Sequence, residues 1–155
     1  MTDQIIQKYN LRKHPEGGYY RETYRSYSIV ESGKSCGPRS AVTDIYFLLP
    51  AGEISRFHKV LHDEIWHFYE GAPLKIITFD NNKLSEHIIG RDMPDGYKFV
   101  VAGGIWQAAV STGDYSLVGC TVAPGFDFAD FAFLANAMDS AKKLKHCFPA
   151  HTYLL

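Results

Sequence analysis

Four side chains capable of acid–base or metal-binding chemistry, His58, His62, Asp63 and Glu64, fall within seven residues of one another in the glycine-bounded stretch Gly52–Gly71. They run directly into the strand-like segment Ile65-Trp66-His67-Phe68-Tyr69. Imidazoles and carboxylates crowded at the start of a strand can converge on one small cavity, where they either hold a divalent cation or move a proton. Downstream, Gly96–Ser111 (GYKFVVAGGIWQAAVS) has the same order of strand, glycine turn and strand, with Gln107 polar in an apolar run.

Alternation sorts these side chains, because successive residues of a strand point to opposite faces. Glu64, Trp66 and Phe68 share one face; Ile65, His67 and Tyr69 share the other. A cavity that receives Glu64 would then be lined by Trp66, leaving His67 on the outer sheet or at an interface. His62 and Asp63 lie in the turn itself and are expected to be solvated. Earlier in the chain, Glu16-Gly17-Gly18 on its own indicates only a turn before a strand over Tyr19–Tyr24. On that strand Tyr20 and Glu22 share one face, Tyr19 and Arg21 the other. A buried Arg21 would clamp a carboxylate or phosphate, whereas on a solvated edge strand it would bind nothing. Trp106, beside Gly104, is equally compatible with a pocket mouth and with the core.

The elements that must position these residues read as an all-β chain. Strands are expected at Ala41–Leu49, Ser55–Lys59, Glu64–Tyr69, Leu74–Phe79, Lys83–Ile89, Tyr97–Val101, Trp106–Ser111 and Tyr115–Val122. Asp80-Asn81-Asn82 marks a hairpin between two of them. Even spacing with Gly, Pro and Asn between strands argues for a sandwich or barrel rather than βαβ units. Residues Ser28–Arg39, with Gly33, Gly37 and Pro38, read as a loop. A short first helix carries Ile5, Ile6 and Tyr9, with Thr2 or Asp3 as its cap. A second is marked by the apolar stripe Leu134, Met138, Ala141, Leu144 and Phe148, closed by Pro149.

Composition sets the bounds. The chain of 155 residues fits one domain, 1–155, and its 46% apolar and 21% charged residues are ordinary for a globular protein. Ten Tyr and ten Phe suit a β-rich core and an aromatic-lined cavity. A net charge of −1 with scattered Lys and Arg offers no footprint for nucleic acid or an anionic membrane. Three cysteines, Cys36, Cys120 and Cys147, have no zinc-like or CxxC spacing and read as free thiols of a cytoplasmic protein. The first residues lack a signal-peptide pattern, and no apolar run is long enough to span a bilayer.

Two glycine-flanked segments resemble the two motifs of the cupin superfamily, G-x5-H-x-H-x3-4-E-x6-G and G-x5-P-x-G-x2-H-x3-N. The first is matched by Gly52, His58, Glu64 and Gly71, with Val60 where the second histidine belongs. The second aligns with Gly96, Ala102, Gly104, Gln107 and Ser111, so its proline and histidine are replaced. The strings His14–Tyr24, Phe57–Val60, Asp63–Phe68, Gly103–Ala108 and Gly119–Phe126 are similar to the DUF985, or cupin_5, family. The resemblance implies a double-stranded β-helix, the cupin jelly-roll barrel, with short N- and C-terminal helices. It further implies edges that a homodimer would bury. It places His58 and Glu64 as catalytic residues and as candidate metal ligands with Gln107; Gln107 and, from their places on the strands, Trp66, Arg21 and Trp106 are the candidate ligand-binding residues.

Three functions are compatible with that pattern. One is a metal-independent isomerase or epimerase of a sugar or sugar nucleotide. In it His58 is the base, Glu64 orients it, and a tyrosine is the acid. The second is a metal-dependent oxygenase or lyase using His58, Glu64 and Gln107. The third is a non-catalytic protein that binds a small metabolite in its barrel. Two of the four usual metal ligands are absent, and a catalytic metal normally keeps three good ones. No cofactor is therefore assigned.

Overall fold

A computed structural model describes residues 1–155, and the order of its elements follows the alternation of the sequence. After helix α1 (Thr2–Tyr9) come strands β1 (Arg12–Lys13), β2 (Tyr19–Arg25), β3 (Ile29–Val30), β4 (Arg39–Ser40) and β5 (Thr43–Pro50). There follow β6 (Ile54–Lys59), β7 (Asp63–Gly71), β8 (Leu74–Asp80), β9 (Lys83–Ile89), β10 (Lys98–Val101), β11 (Trp106–Ser111) and β12 (Tyr115–Ala123). The chain closes with β13 (Ala132–Phe133), helix α2 (Met138–Cys147) and short 3-10 turns.

One sheet has the order β1-β2-β5-β12-β7-β10 and the other β13-β6-β11-β8-β9, all neighbours antiparallel. This is the expected jelly roll with a helix at each end. Phe47, Leu49, Trp66, Ile76, Ala109 and Val118 pack between the sheets. Their neighbours in sequence point outward and are buried as well. Leu48 and Leu117 lie under Ile5 of α1, and Ile77 and Ala108 under Leu144 of α2 and the terminal Leu154. Strands covered on both faces read as continuous apolar runs, as Tyr46-Phe47-Leu48-Leu49 does.

Local chemistry sets the ends. Asn81 and Asn82 carry φ of 45° and 66°, the left-handed pair of a two-residue hairpin, and Asp80 pairs with Lys83 across it. α2 stops at Cys147 because the residue before Pro149 is sterically barred from helix. Leu134 of the expected stripe lies in a 3-10 turn before α2 and is still fully buried. At α1 the expected cap differs. Met1 holds the cap position without a side-chain bond, and Thr2 is already the first helical residue. The Ser28–Arg39 segment is a loop whose ends pair as β3 and β4.

A candidate acid–base cavity

Glu16 and His58 form the centre of a cavity of ≈ 320 Å³ at one end of the barrel. His58 is buried, and its Nδ1 lies 2.8 Å from the backbone carbonyl of Arg56. A carbonyl only accepts, so Nδ1 carries the proton and Nε2 faces Glu16 Oε2 at 3.1 Å. One proton must sit between those two atoms. Burial holds the imidazole below its usual pKa. It also pushes Glu16 up to about 8, although the Ser55 hydroxyl, donating to Glu16 Oε1 at 2.7 Å, pulls the other way. At neutral pH the proton therefore rests on Glu16, which donates it to His58.

His14 adds a second imidazole to the same carboxyl. The backbone N–H of Glu16 donates to His14 Nδ1 at 3.2 Å, and Glu16 Oε2 lies 3.5 Å from that nitrogen. An N–H only donates, so His14 Nδ1 is bare, its proton is on Nε2, and the ring is neutral. Burial, with the charges of His58 and Arg12, lowers its pKa to about 3. No protein group accepts from Nε2.

Backbone geometry brings Glu16 in. Gly17 has φ +116°, and a Cβ there would collide with the Ile54 carbonyl. The glycine lets the turn lie flat on β6, where Arg56 N–H bonds the Glu16 carbonyl at 2.9 Å. β6 is itself irregular. Its register on β11 shifts between the pairs Gln107↔His58 and Ala109↔Ser55, and this bulge lets Ser55 and His58 both reach Glu16 although three residues apart.

Glu64 occupies the same cavity on β7, buried, with Cys120 and Val122 of β12 beside it. Burial pushes its carboxyl up to about 7, with His58 lowering it and Glu16 raising it. Gln107 Nε2 donates to Glu64 Oε2 at 2.5 Å, and Trp66 Nε1 donates to Gln107 Oε1 at 2.9 Å. The indole can only donate, which fixes the orientation of the amide. Burial raises the Cys120 thiol well above its ordinary value, so it remains protonated. Phe131 stacks on the His58 ring at 5.2 Å and 17°, and with Phe126 and Phe128 forms an aromatic cover.

A family model described as "Cupin superfamily (DUF985)" matches residues 3–134. The chain belongs to this family of cupins. A protein of Saccharomyces cerevisiae, YML079W, described as uncharacterised, is 31% identical over 92% of this chain and 78% of its own. A solved structure of protein SO0799 from Shewanella oneidensis has a TM-score of 0.81 at 35% identity, covering 98% of this chain and 92% of that one. A hypothetical protein from Leishmania major gives 0.82 at 28%, covering 98% and 94%. None of these names states an activity.

In this cupin the motif residues His58 and Glu64 share the cavity without pairing with each other; His58 pairs with Glu16 and Glu64 with Gln107. Trp66 and Gln107 are buried behind Glu64 and do not line the cavity. Trp106 is packed in the outer core beneath Lys59. Arg21 points to the opposite face, over the Tyr46 ring, and reaches no ligand position. His67 also faces outward, bonded to Thr121. His62 departs from the solvated turn expected of it. It is buried, and its Nε2 lies 2.7 Å from the Ser32 hydroxyl of the Ser28–Arg39 loop. Asp63 is exposed and accepts from the Gly103 N–H.

The candidate metal set does not fit a metal. Gln107 turns its oxygen to Trp66 and its N–H toward Glu64, His58 has a partner on each nitrogen, and Val60 lines the cavity without a donor atom. No group of three His, Cys, Asp or Glu side chains in this cupin converges as a metal site.

Sequence reading missed Glu16, His14 and Cys120. Glu16 and His14 stood in the family string without a role, and the glycine pair after Glu16 was the available sign that this acid is pressed against another strand. Nothing local to Cys120 marks it, because its neighbour Glu64 comes from β7.

Proposed function

We propose that this cupin binds one small hydroxycarbonyl metabolite of the sugar class and moves a proton at the carbon beside its carbonyl, as an isomerase or epimerase that needs no metal. The observation that carries this reading is the close Glu16–His58 pair, at 3.1 Å, in one cavity with a second carboxyl poised near neutrality. Glu64, as carboxylate, takes the proton from carbon, and the electron pair moves to the carbonyl oxygen to give an enediolate. The free Nε2–H of neutral His14 bonds that oxygen as its charge develops. Glu16, with His58 behind it, returns a proton to carbon. In this reading the acid is Glu16 rather than the expected tyrosine; the Tyr20 hydroxyl at the cavity accepts from Arg12 Nη2 at 3.0 Å and supports that arginine.

A cavity of ≈ 320 Å³ lies near the lower end of the range for small-molecule sites, roughly 300–1,000 Å³. It matches a single sugar-sized molecule, and the nucleotide part of a sugar nucleotide would extend past the mouth. The test is proton NMR in D2O of aldoses, ketoses and sugar nucleotides with chelator-treated protein. Loss of the signal beside the carbonyl is expected for at least one of them and not with Glu64→Gln. Ligands that raise the melting temperature but never exchange would replace this reading with a binding protein.

A further inference from the structure

The mouth of the cavity carries charge that the proton-transfer chemistry does not use. Two arginines line it, and their situations differ. Arg25 donates from Nε and Nη2 to both oxygens of Glu22, at 3.0 and 2.8 Å, and from Nη2 to the Phe126 carbonyl. Its charge is paired with Glu22. Arg12 is in no ion pair, and its one protein hydrogen bond runs from Nη2 to the Tyr20 hydroxyl.

That bond aims the side chain. Arg12 is registered opposite Tyr20 across β1 and β2, and its guanidinium carbon sits 5.0 Å from the Tyr20 ring centre. Tyr20 is buried in the inter-sheet core, so the arginine leans on a fixed support. A guanidinium has five N–H donors in a planar fork matched to two oxygens of one anion. Most of those donors here have no protein acceptor. The acids at the mouth are already engaged: Glu22 on Arg25, and Asp127 as acceptor from the Ala129 N–H. Deeper in, Glu16 holds its proton, which removes one of the two buried charges that would repel an anion, and the other, Glu64, lies at the carbonyl end.

We propose that Arg12 recognises an anionic group of the ligand, a carboxylate or a phosphate, so that the cavity takes an acidic sugar or sugar phosphate oriented with its anion at Arg12 and its carbonyl end toward Glu64. This rests on the proton-transfer reading for the carbonyl end alone; the anion contact stands without it.

The first test probes the arginine directly. Protein with ¹⁵N-labelled arginine is titrated with inorganic phosphate and, separately, acetate, while the Nε–H resonances are followed. The Arg12 signal is assigned by its loss in Arg12→Gln. A saturable shift at Arg12, absent at exposed Arg91, is expected. A shift at Arg12 that is linear and equal to that of Arg91 overturns the proposal. Next, glucose, glucuronate and glucose 6-phosphate are compared for affinity by ligand-observed NMR. One of the two anions should bind about ten- to a hundredfold more tightly than glucose, and the tighter one names the source. The preference should collapse in Arg12→Gln and survive in part in Arg12→Lys. Equal affinities, or a preference that persists in Arg12→Gln, overturn it. Anion binding through Arg12 with no carbon–proton exchange would sink the catalytic reading and leave this one standing. Exchange of neutral sugars with no anion preference would do the reverse.

Discussion

At the scale of residues, the cavity differs from a generic buried polar cluster because its protons have defined addresses. His58 Nδ1 is committed to a carbonyl, His14 Nδ1 to an N–H, and Gln107 to an indole. Glu16, whose proton is shared with His58, and Glu64 are left to exchange protons with a ligand. Their raised pKa values give the rate a direction with pH. Glu64 acts as base only once deprotonated, so kcat/KM should rise through about 7. Glu16 acts as acid only while protonated, so it should fall again through about 8. The expected profile is a narrow bell. Glu64→Gln should lower the rate by roughly 10²–10⁴-fold, and Glu16→Gln should erase the alkaline limb along with most of the rate. A limb that persists in Glu16→Gln would assign it to another group. Chelation should leave ligand affinity and melting temperature unchanged, because the donors at this site face one another; a drop of several degrees with EDTA would contradict that.

At the scale of elements, the aromatic cover depends on a remote ion pair. Arg39 of β4 donates to both oxygens of Asp130 at 3.0–3.2 Å in a mostly buried bidentate contact, one residue from the Phe131 ring stacked on His58. Asp130→Ala leaves Nε and Nη2 of the mostly buried guanidinium without their carboxylate, while Nη1 keeps the Cys36 and Pro38 carbonyls, at a cost of about 1–3 kcal/mol. The loss should be local: faster hydrogen exchange and proteolysis over residues 126–133, and a higher KM, with the strand amides unchanged. Uniformly faster exchange would show instead that the pair supports the whole fold. The strands themselves were legible because period-two alternation and Asn or Gly turns are local signals. Glu64 and His58 were legible because a motif spacing carries them. The partnership of Glu16 with His58 was not, since it spans more than forty positions in sequence and depends on Gly17 lying on Ile54 and on a bulge in β6. The burial of His62 was hidden for the same reason, its hydrogen-bond partner being the distant Ser32. Alternation does separate Tyr20 and Glu22 from Arg21 correctly, but it cannot say which face meets a cavity.

At the scale of the molecule, both sheets end in open edges, β1 and β10 on one and β13 and β9 on the other. Tyr24, Tyr27 and Ile29 lie exposed next to one another in the chain. Pairing across a two-fold axis would cover such features, so a dimer is expected in light scattering at micromolar concentration, and a monomer mass would refute it. The buried acids and imidazoles also set how the whole fold responds to pH. Glu16 and Glu64 titrate at about 8 and about 7 when folded, above the ordinary 4.5, so above that value the folded state keeps protons that the unfolded chain has released. Their contribution to stability is therefore complete below 4.5, declines as pH rises above it, and is gone once pH has passed 7 to 8. His14 and His58 are lowered from 6.5, so below that value the unfolded chain takes up protons that the folded state refuses, and stability falls with acid. Between 4.5 and 6.5 the two effects oppose each other, and stability should be nearly flat. Between 6.5 and about 8 the two carboxyls dominate, and stability should decline by on the order of 1 kcal/mol per pH unit. Urea unfolding across this range measures the slope. Glu16→Gln cannot ionise and should flatten it, whereas a stability that climbs from neutral to alkaline pH would mean that Glu16 and Glu64 are charged in the folded protein.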